Sequence, residues 1–120
     1  MKLLIVDDSV VIRRAIERTM KSQFFESIQT AQNGALALKI FKNSPIDVVT
    51  MDITMPEMDG LTCIESMIKI KPSTRILVIT ALADKGTAVE AVKRGAQGFL
   101  LKPFTEDDVN EALNDLLEDL

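Results

Sequence analysis

Residues 47–52, Asp47-Val48-Val49-Thr50-Met51-Asp52, decide the fold. Two valines, a threonine and a methionine form a run too short for a helix and rich in β-branched side chains, so 47–51 is a strand. The run is apolar almost without interruption, which fits a strand covered on both faces. Downstream, a turn over Pro56–Gly60 leads to a helix marked by Leu61, Ile64, Met67 and Ile68 and stopped before Pro72. Ile76–Ile79 is the next strand, Thr87–Arg94 a helix ended at Gly95, and Gly98–Leu101 the last strand. Thr105 caps the final helix with Asp108 three residues on, an acidic variant of the capping box. That helix has its apolar face at Val109, Ala112, Leu113, Leu116, Leu117 and Leu120. Upstream, Asn33 caps a helix carrying Ala37, Ile40 and Phe41 that ends near Asn43-Ser44-Pro45. Before it, Ile28–Ala31 is a weaker, alternating strand of the kind found at a sheet edge. Ser9–Lys21 is a helix with Ile12, Ala15, Ile16 and Met20 on one face, and Leu3–Val6 a buried strand.

Strand and helix therefore alternate five times within residues 1–120, which leaves no room for a second domain. Such alternation implies a parallel sheet with helices on both faces. The edge-like second strand favours the order 2-1-3-4-5, a flavodoxin-like (βα)5 α/β fold. No internal repeat, low-complexity segment or charge run interrupts it.

Composition narrows the function. The chain has 120 residues, 47% of them hydrophobic, and a net charge of -4. No basic stripe is present, so binding to nucleic acid is not expected. Asp7 and Asp8 end the first apolar run too soon for a signal peptide or membrane span, and a soluble cytoplasmic protein is expected. The single Cys63 lies in an apolar helical stretch and reads as a core thiol. The chain has no His, which removes the commonest general base and transition-metal ligand. Phe24-Phe25 and the last helix's stripe read as core, so a monomer is expected.

In an open parallel sheet, ligands bind beyond the carboxyl ends of the strands. Asp7 and Asp8 follow the first strand, Asp52 the third, Thr80 the fourth, and Lys102 the fifth. Each has a plain alternative: an aspartate or threonine can cap a helix or close its own turn, and a lysine can stay solvated. Gathered on one rim, three carboxylates repel one another unless a cation joins them. Lys102 is one such cation. Oxygen-only ligands suit Mg²⁺ or Mn²⁺ as another. A hard metal, a lysine and a threonine hydroxyl together suit phosphoryl transfer, with the central Asp52 as nucleophile. No GxxxxGK[ST] or GxGxxG phosphate cradle is present, which disfavours a nucleotide.

With Asp7-Asp8, Asp52 in Met51-Asp52-Ile53-Thr54-Met55-Pro56-Glu57-Met58-Asp59-Gly60, Thr80-Ala81 and Lys102-Pro103-Phe104 in this order and spacing, the chain resembles, end to end, the receiver domains of two-component response regulators. It is most similar to the single-domain chemotaxis type. The resemblance implies that Asp52 accepts a phosphoryl group from a phosphohistidine on a sensor histidine kinase. It implies that Asp8, Asp52 and the backbone carbonyl of Thr54 bind Mg²⁺, with Asp7 acting mainly through water. Lys102, placed by a cis peptide to Pro103, contacts the phosphoryl group. Thr80 swings toward that group and Phe99 turns into the space it leaves. The face built from the fourth helix, fifth strand and fifth helix then binds a downstream protein target.

Three positions depart from the family's usual pattern or tune it. Phe99 stands where chemotaxis regulators typically have Tyr, so its two rotamers lack a hydroxyl to distinguish them. Thr54 and Leu82 occupy positions that set how fast phosphoryl is lost in this family. An apolar Leu82 cannot orient an attacking water, and slow to moderate self-dephosphorylation is expected. The rival from the enzyme class is a Mg²⁺-dependent phosphohydrolase. It usually needs a second acid/base carboxylate near the nucleophile and a cap, whereas Thr54 fills the near position. The reading is therefore a regulator that catalyses only its own phosphorylation and dephosphorylation, in chemotaxis. A phosphorelay shuttle or a regulator of a non-motility pathway is the alternative. The chain ends at the final helix, from which a stand-alone protein is expected.

Overall fold

The computed structural model describes residues 1–20, 25–55, 59–81 and 85–118. The elements run β1 (Lys2–Val6), α1 (Val10–Met20), β2 (Ser27–Ala31), α2 (Gly34–Asn43), β3 (Val48–Met51), α3 (Gly60–Ile70), β4 (Arg75–Thr80), α4 (Lys85–Arg94), β5 (Gly98–Leu101) and α5 (Glu106–Leu117). All four strand pairings are parallel, in the order β2-β1-β3-β4-β5. The expected α/β topology is thus the observed one. Lys21, Phe24, the turn at Pro56–Met58, Leu82 and Leu120 lie outside the described residues.

Successive strand side chains point to opposite faces, and both faces are covered. Leu4, Val6, Val49, Met51, Ile76 and Val78 pack with Phe41 of α2, Cys63, Ile64 and Met67 of α3 and Ala91 of α4. Leu3, Ile5, Val48, Leu77 and Ile79 pack on the other side with Ile16 and Met20 of α1 and Val109, Leu113 and Leu116 of α5. Phe25 joins this second core, as expected. β2 has only Ala31 fully buried, which agrees with its edge position.

The caps read from the sequence are in place. Asn33 accepts the Leu36 N–H, and Thr105 and Asp108 exchange both hydrogen bonds of the capping box. Three helix starts differ from expectation, the first by one residue, at Val10 rather than Ser9. The third begins at Gly60, with Asp59 as its cap accepting the Thr62 N–H at 2.9 Å. The fourth begins at Lys85, two residues before Thr87. α4 buries only Ala91, so its first turn carries no apolar signal. Its end does match: Gly95 has φ 125°, where an L side chain is strained.

Cys63 is fully buried and its thiol donates to the Gly34 carbonyl at 3.6 Å. Burial, and secondarily the charge of Asp59, push the thiol up to about 12. Thiolate is the reactive form. A disulfide reagent at pH 8 is therefore expected to label the native chain more than about 1,000-fold slower than the urea-unfolded chain, since global opening is that rare. Comparable rates would mean that this core opens locally.

Candidate phosphoryl-acceptor site

The rim is assembled by extending the sheet ladder past the strand ends. The Asp7 N–H donates to the Ala31 carbonyl at 3.1 Å, Asp52 N–H to Val6 at 2.9 Å, and Lys102 N–H to Thr80 at 2.9 Å. These bonds hold Asp7, Asp52, Thr80 and Lys102 level at the carboxyl end of the sheet. One carboxylate oxygen from each of Asp7, Asp8 and Asp52 falls within 4.8 Å of the others. Asp7 and Asp52 are buried, and Asp8 is exposed. The Lys102–Pro103 peptide is cis.

Lys102 lies among the acids. Its Nζ is 2.7 Å from Asp7 Oδ2 and 3.4 Å from Asp52 Oδ2. Burial raises the Asp7 pKa, and the Asp52 charge adds to that, against the lowering effect of Lys102. Burial alone would lower Lys102; its close contact with Asp7 and the charges of Asp52 and Asp7 outweigh it and raise its pKa. The ammonium is thus held charged while Asp7 is ionised only at a cost.

Several groups fix the carboxylates. The Ser9 N–H donates to Asp7 Oδ1 at 2.9 Å. The Thr54 N–H and its Oγ1 both donate to Asp52 Oδ1 at 3.1 Å. Arg13 Nη1 donates to the Asp7 carbonyl at 2.8 Å and ties α1 to the loop that carries Asp8. Of the expected switch pair, Thr80 is fully buried and Phe99 is half-buried against the core on the α4 side. Leu82, expected to tune dephosphorylation, is not among the described residues.

A divalent cation fits this donor set. All three side-chain donors are carboxylates, and one lysine cannot neutralise three charges. Asp7 Oδ2, fully buried, has the Lys102 ammonium 2.7 Å away but accepts no well-aligned hydrogen bond among the described residues. Oxygen-only ligation of this kind suits a hard metal.

Gly60 matters to this geometry in a way its place in a turn does not reveal. A Cβ there would lie 2.4 Å from Ile53 Cα and 2.5 Å from the Asp52 carbonyl oxygen. Both are backbone atoms, so no side chain can swing aside. The absence of a Cβ lets α3 press against the backbone of Asp52 and Ile53. Gly60→Ala is expected to cost about 1–3 kcal/mol in urea unfolding and to displace the Asp52 loop. An unchanged midpoint would show that the loop yields freely.

The profile of the response regulator receiver domain matches residues 3–114. The chain belongs to this receiver family. It is 42% identical over 113 residues to the chemotaxis protein CheY of Listeria monocytogenes, covering 94% of this chain and 95% of that one. It is 40% identical over 116 residues to CheY of Bacillus subtilis, covering 97% of each. Among solved structures, CheY in a CheX-CheY-BeF3-Mg²⁺ complex from Borrelia burgdorferi superposes with a TM-score of 0.91 at 34% identity, over 97% of this chain and 88% of that one. No helix of this receiver, among the described residues, is long and apolar enough to cross a membrane.

Proposed function

We propose that the chain is a chemotaxis response regulator that takes a phosphoryl group on Asp52 from a phosphohistidine of a sensor kinase. The observation that carries this is the meeting of Asp7, Asp8 and Asp52 within 4.8 Å, with the Lys102 ammonium against two of them. Similarity to CheY proteins along nearly the whole chain supports the pathway.

The chain's own residues supply most of the chemistry. A carboxylate oxygen of Asp52 attacks phosphorus, the bond from phosphorus to the imidazole nitrogen breaks, and its electron pair stays on the imidazole. Thr54 holds Asp52 by its other oxygen, Oδ1, which limits the rotamers the nucleophile visits. Lys102 stands close enough to meet the charge on the transferred oxygens. Asp8, Asp52 and the Thr54 backbone carbonyl, with Asp7 acting through water, would hold the metal. Mg²⁺ so bound would offset phosphoryl charge. The Thr80 hydroxyl then turns to the phosphoryl group and Phe99 follows it inward, altering the surface of α4, β5 and α5 that a protein target reads. The regulator works in the cytoplasm and turns over nothing but its own acyl phosphate.

Acetyl phosphate with Mg²⁺ is expected to add one phosphoryl group, and borohydride reduction followed by peptide mapping to place it on Asp52. Label on another residue, or sustained multiple turnover of a phosphate ester, would overturn the proposal.

A further inference from the structure

A groove of about 390 Å³ runs between β5, the last strand of the sheet, and the flank of α5 beside it. Leu100 and Ala112 give it an apolar floor. Asp108, Glu111 and Asp115 line its helical wall, all exposed and spaced to share one helix face. Asp108 has a local task, since its Oδ2 accepts the Thr105 N–H. Glu111 and Asp115 form no ion pair with any described cation.

Charge around the groove is one-sided. Residues 105–120 hold seven acidic side chains and no basic one, interleaved with the apolar stripe. The other 104 residues hold eleven acidic and fourteen basic ones, a net positive charge. Part of the helix's acidity has a local cause, because Glu106, Asp107 and Asp108 sit in the first turn, where the dipole favours anions. Asp115 and the cap residue Glu118 sit at the opposite end, where the dipole disfavours them, and no basic residue lies in that turn. An external cation would relieve both the dipole and the mutual repulsion. Nucleic acid and an anionic membrane are repelled by the same charges.

We infer that the groove seats a basic, amphipathic segment of the downstream protein target, with its apolar side chains on Leu100 and Ala112 and its lysines or arginines against Glu111 and Asp115. This rests on the receiver function proposed above and specifies the chemistry of the partner at its output face.

The probes are two synthetic amphipathic peptides of identical pattern, one of leucine and lysine and one of leucine and glutamate, titrated into the isotopically labelled full chain and followed by NMR. The leucine-lysine peptide is expected to move the amides of 98–100 and 108–116, and the leucine-glutamate peptide to leave them in place. Glu111→Gln with Asp115→Asn should weaken the first peptide about tenfold, and added salt should weaken it further. Ala112→Phe, which fills the floor without changing charge, should weaken it as well. Equal affinity for the neutralised variant, or shifts mapping elsewhere, would overturn the inference. Phosphoryl uptake at Asp52 from acetyl phosphate separates the two levels. Uptake with charge-insensitive peptide binding removes only the inference, whereas no uptake removes the receiver function on which it stands.

Discussion

Asp52→Asn is expected to abolish phosphoryl uptake, lowering incorporation from acetyl phosphate by more than about 1,000-fold, while making the metal-free fold more stable. The first effect follows from the loss of the nucleophile: an amide oxygen has neither the charge nor the basicity to form the acyl phosphate. The second follows from the crowding of the rim. Three carboxylates stand within 4.8 Å, two of them buried, against one ammonium. The amide keeps an oxygen to accept from the Thr54 N–H and Oγ1, and Lys102 keeps its shorter contact, the 2.7 Å pair with Asp7. Removing one of three like charges should stabilise the apo chain by about 1 kcal/mol. Urea unfolding in EDTA measures this, and saturating Mg²⁺ should shrink or reverse the difference. Undiminished uptake would put the acceptor elsewhere. A less stable apo variant would mean that the 3.4 Å contact of Lys102 with Asp52 outweighs the repulsion.

The fold and the rim were legible in the sequence for the same reason. A strand buried on both faces leaves an apolar run, and the residue that ends the run marks the carboxyl edge of the sheet. Asp7, Asp52, Thr80 and Lys102 each end such a run, so their meeting could be read from spacing alone. What escaped reading depends on contacts between loops. Asp59 stood inside the quoted motif, yet its capping role needed the true start of α3. Gly60 read as a turn residue because nothing local shows that Ile53 and Asp52 backbone atoms lie against it. Thr54 read as a rate-tuning position, and its hydroxyl proves to hold Asp52 Oδ1. Arg13 gave no signal, because a guanidinium on the first helix that reaches a loop carbonyl six residues back looks like any solvated charge. The start of α4 was missed where a helix with a single fully buried residue offers no periodicity.

Lys102→Met tests the electrostatics of the rim from the opposite side, and a loss of about 3 kcal/mol is expected in metal-free buffer at pH 7. Methionine keeps the length and apolar stem of the side chain, so packing changes little. What disappears is the ammonium against Asp7 and Asp52, whose side chains are only 1% and 2% exposed. Breaking a buried pair by removing one partner costs about 3–5 kcal/mol, because the other charge stays buried without compensation. The residual exposure of Lys102, 17%, places the expected loss at the low end. Burial already makes ionisation of Asp7 costly with the lysine present. Millimolar Mg²⁺ should restore much of the loss, since a divalent ion can be held by the same carboxylates and binds only the folded chain. Lys102→Arg should rescue less well, because a planar fork cannot replace a compact ammonium between two carboxylates. Urea midpoints in EDTA and in Mg²⁺ decide the matter. A loss below about 0.5 kcal/mol, the scale of an ordinary surface substitution, would mean that Lys102 does not compensate the buried acids. A variant whose midpoint ignores Mg²⁺ would mean that Asp7, Asp8 and Asp52 are not a metal site, because the same three charges cannot both want a cation and refuse one.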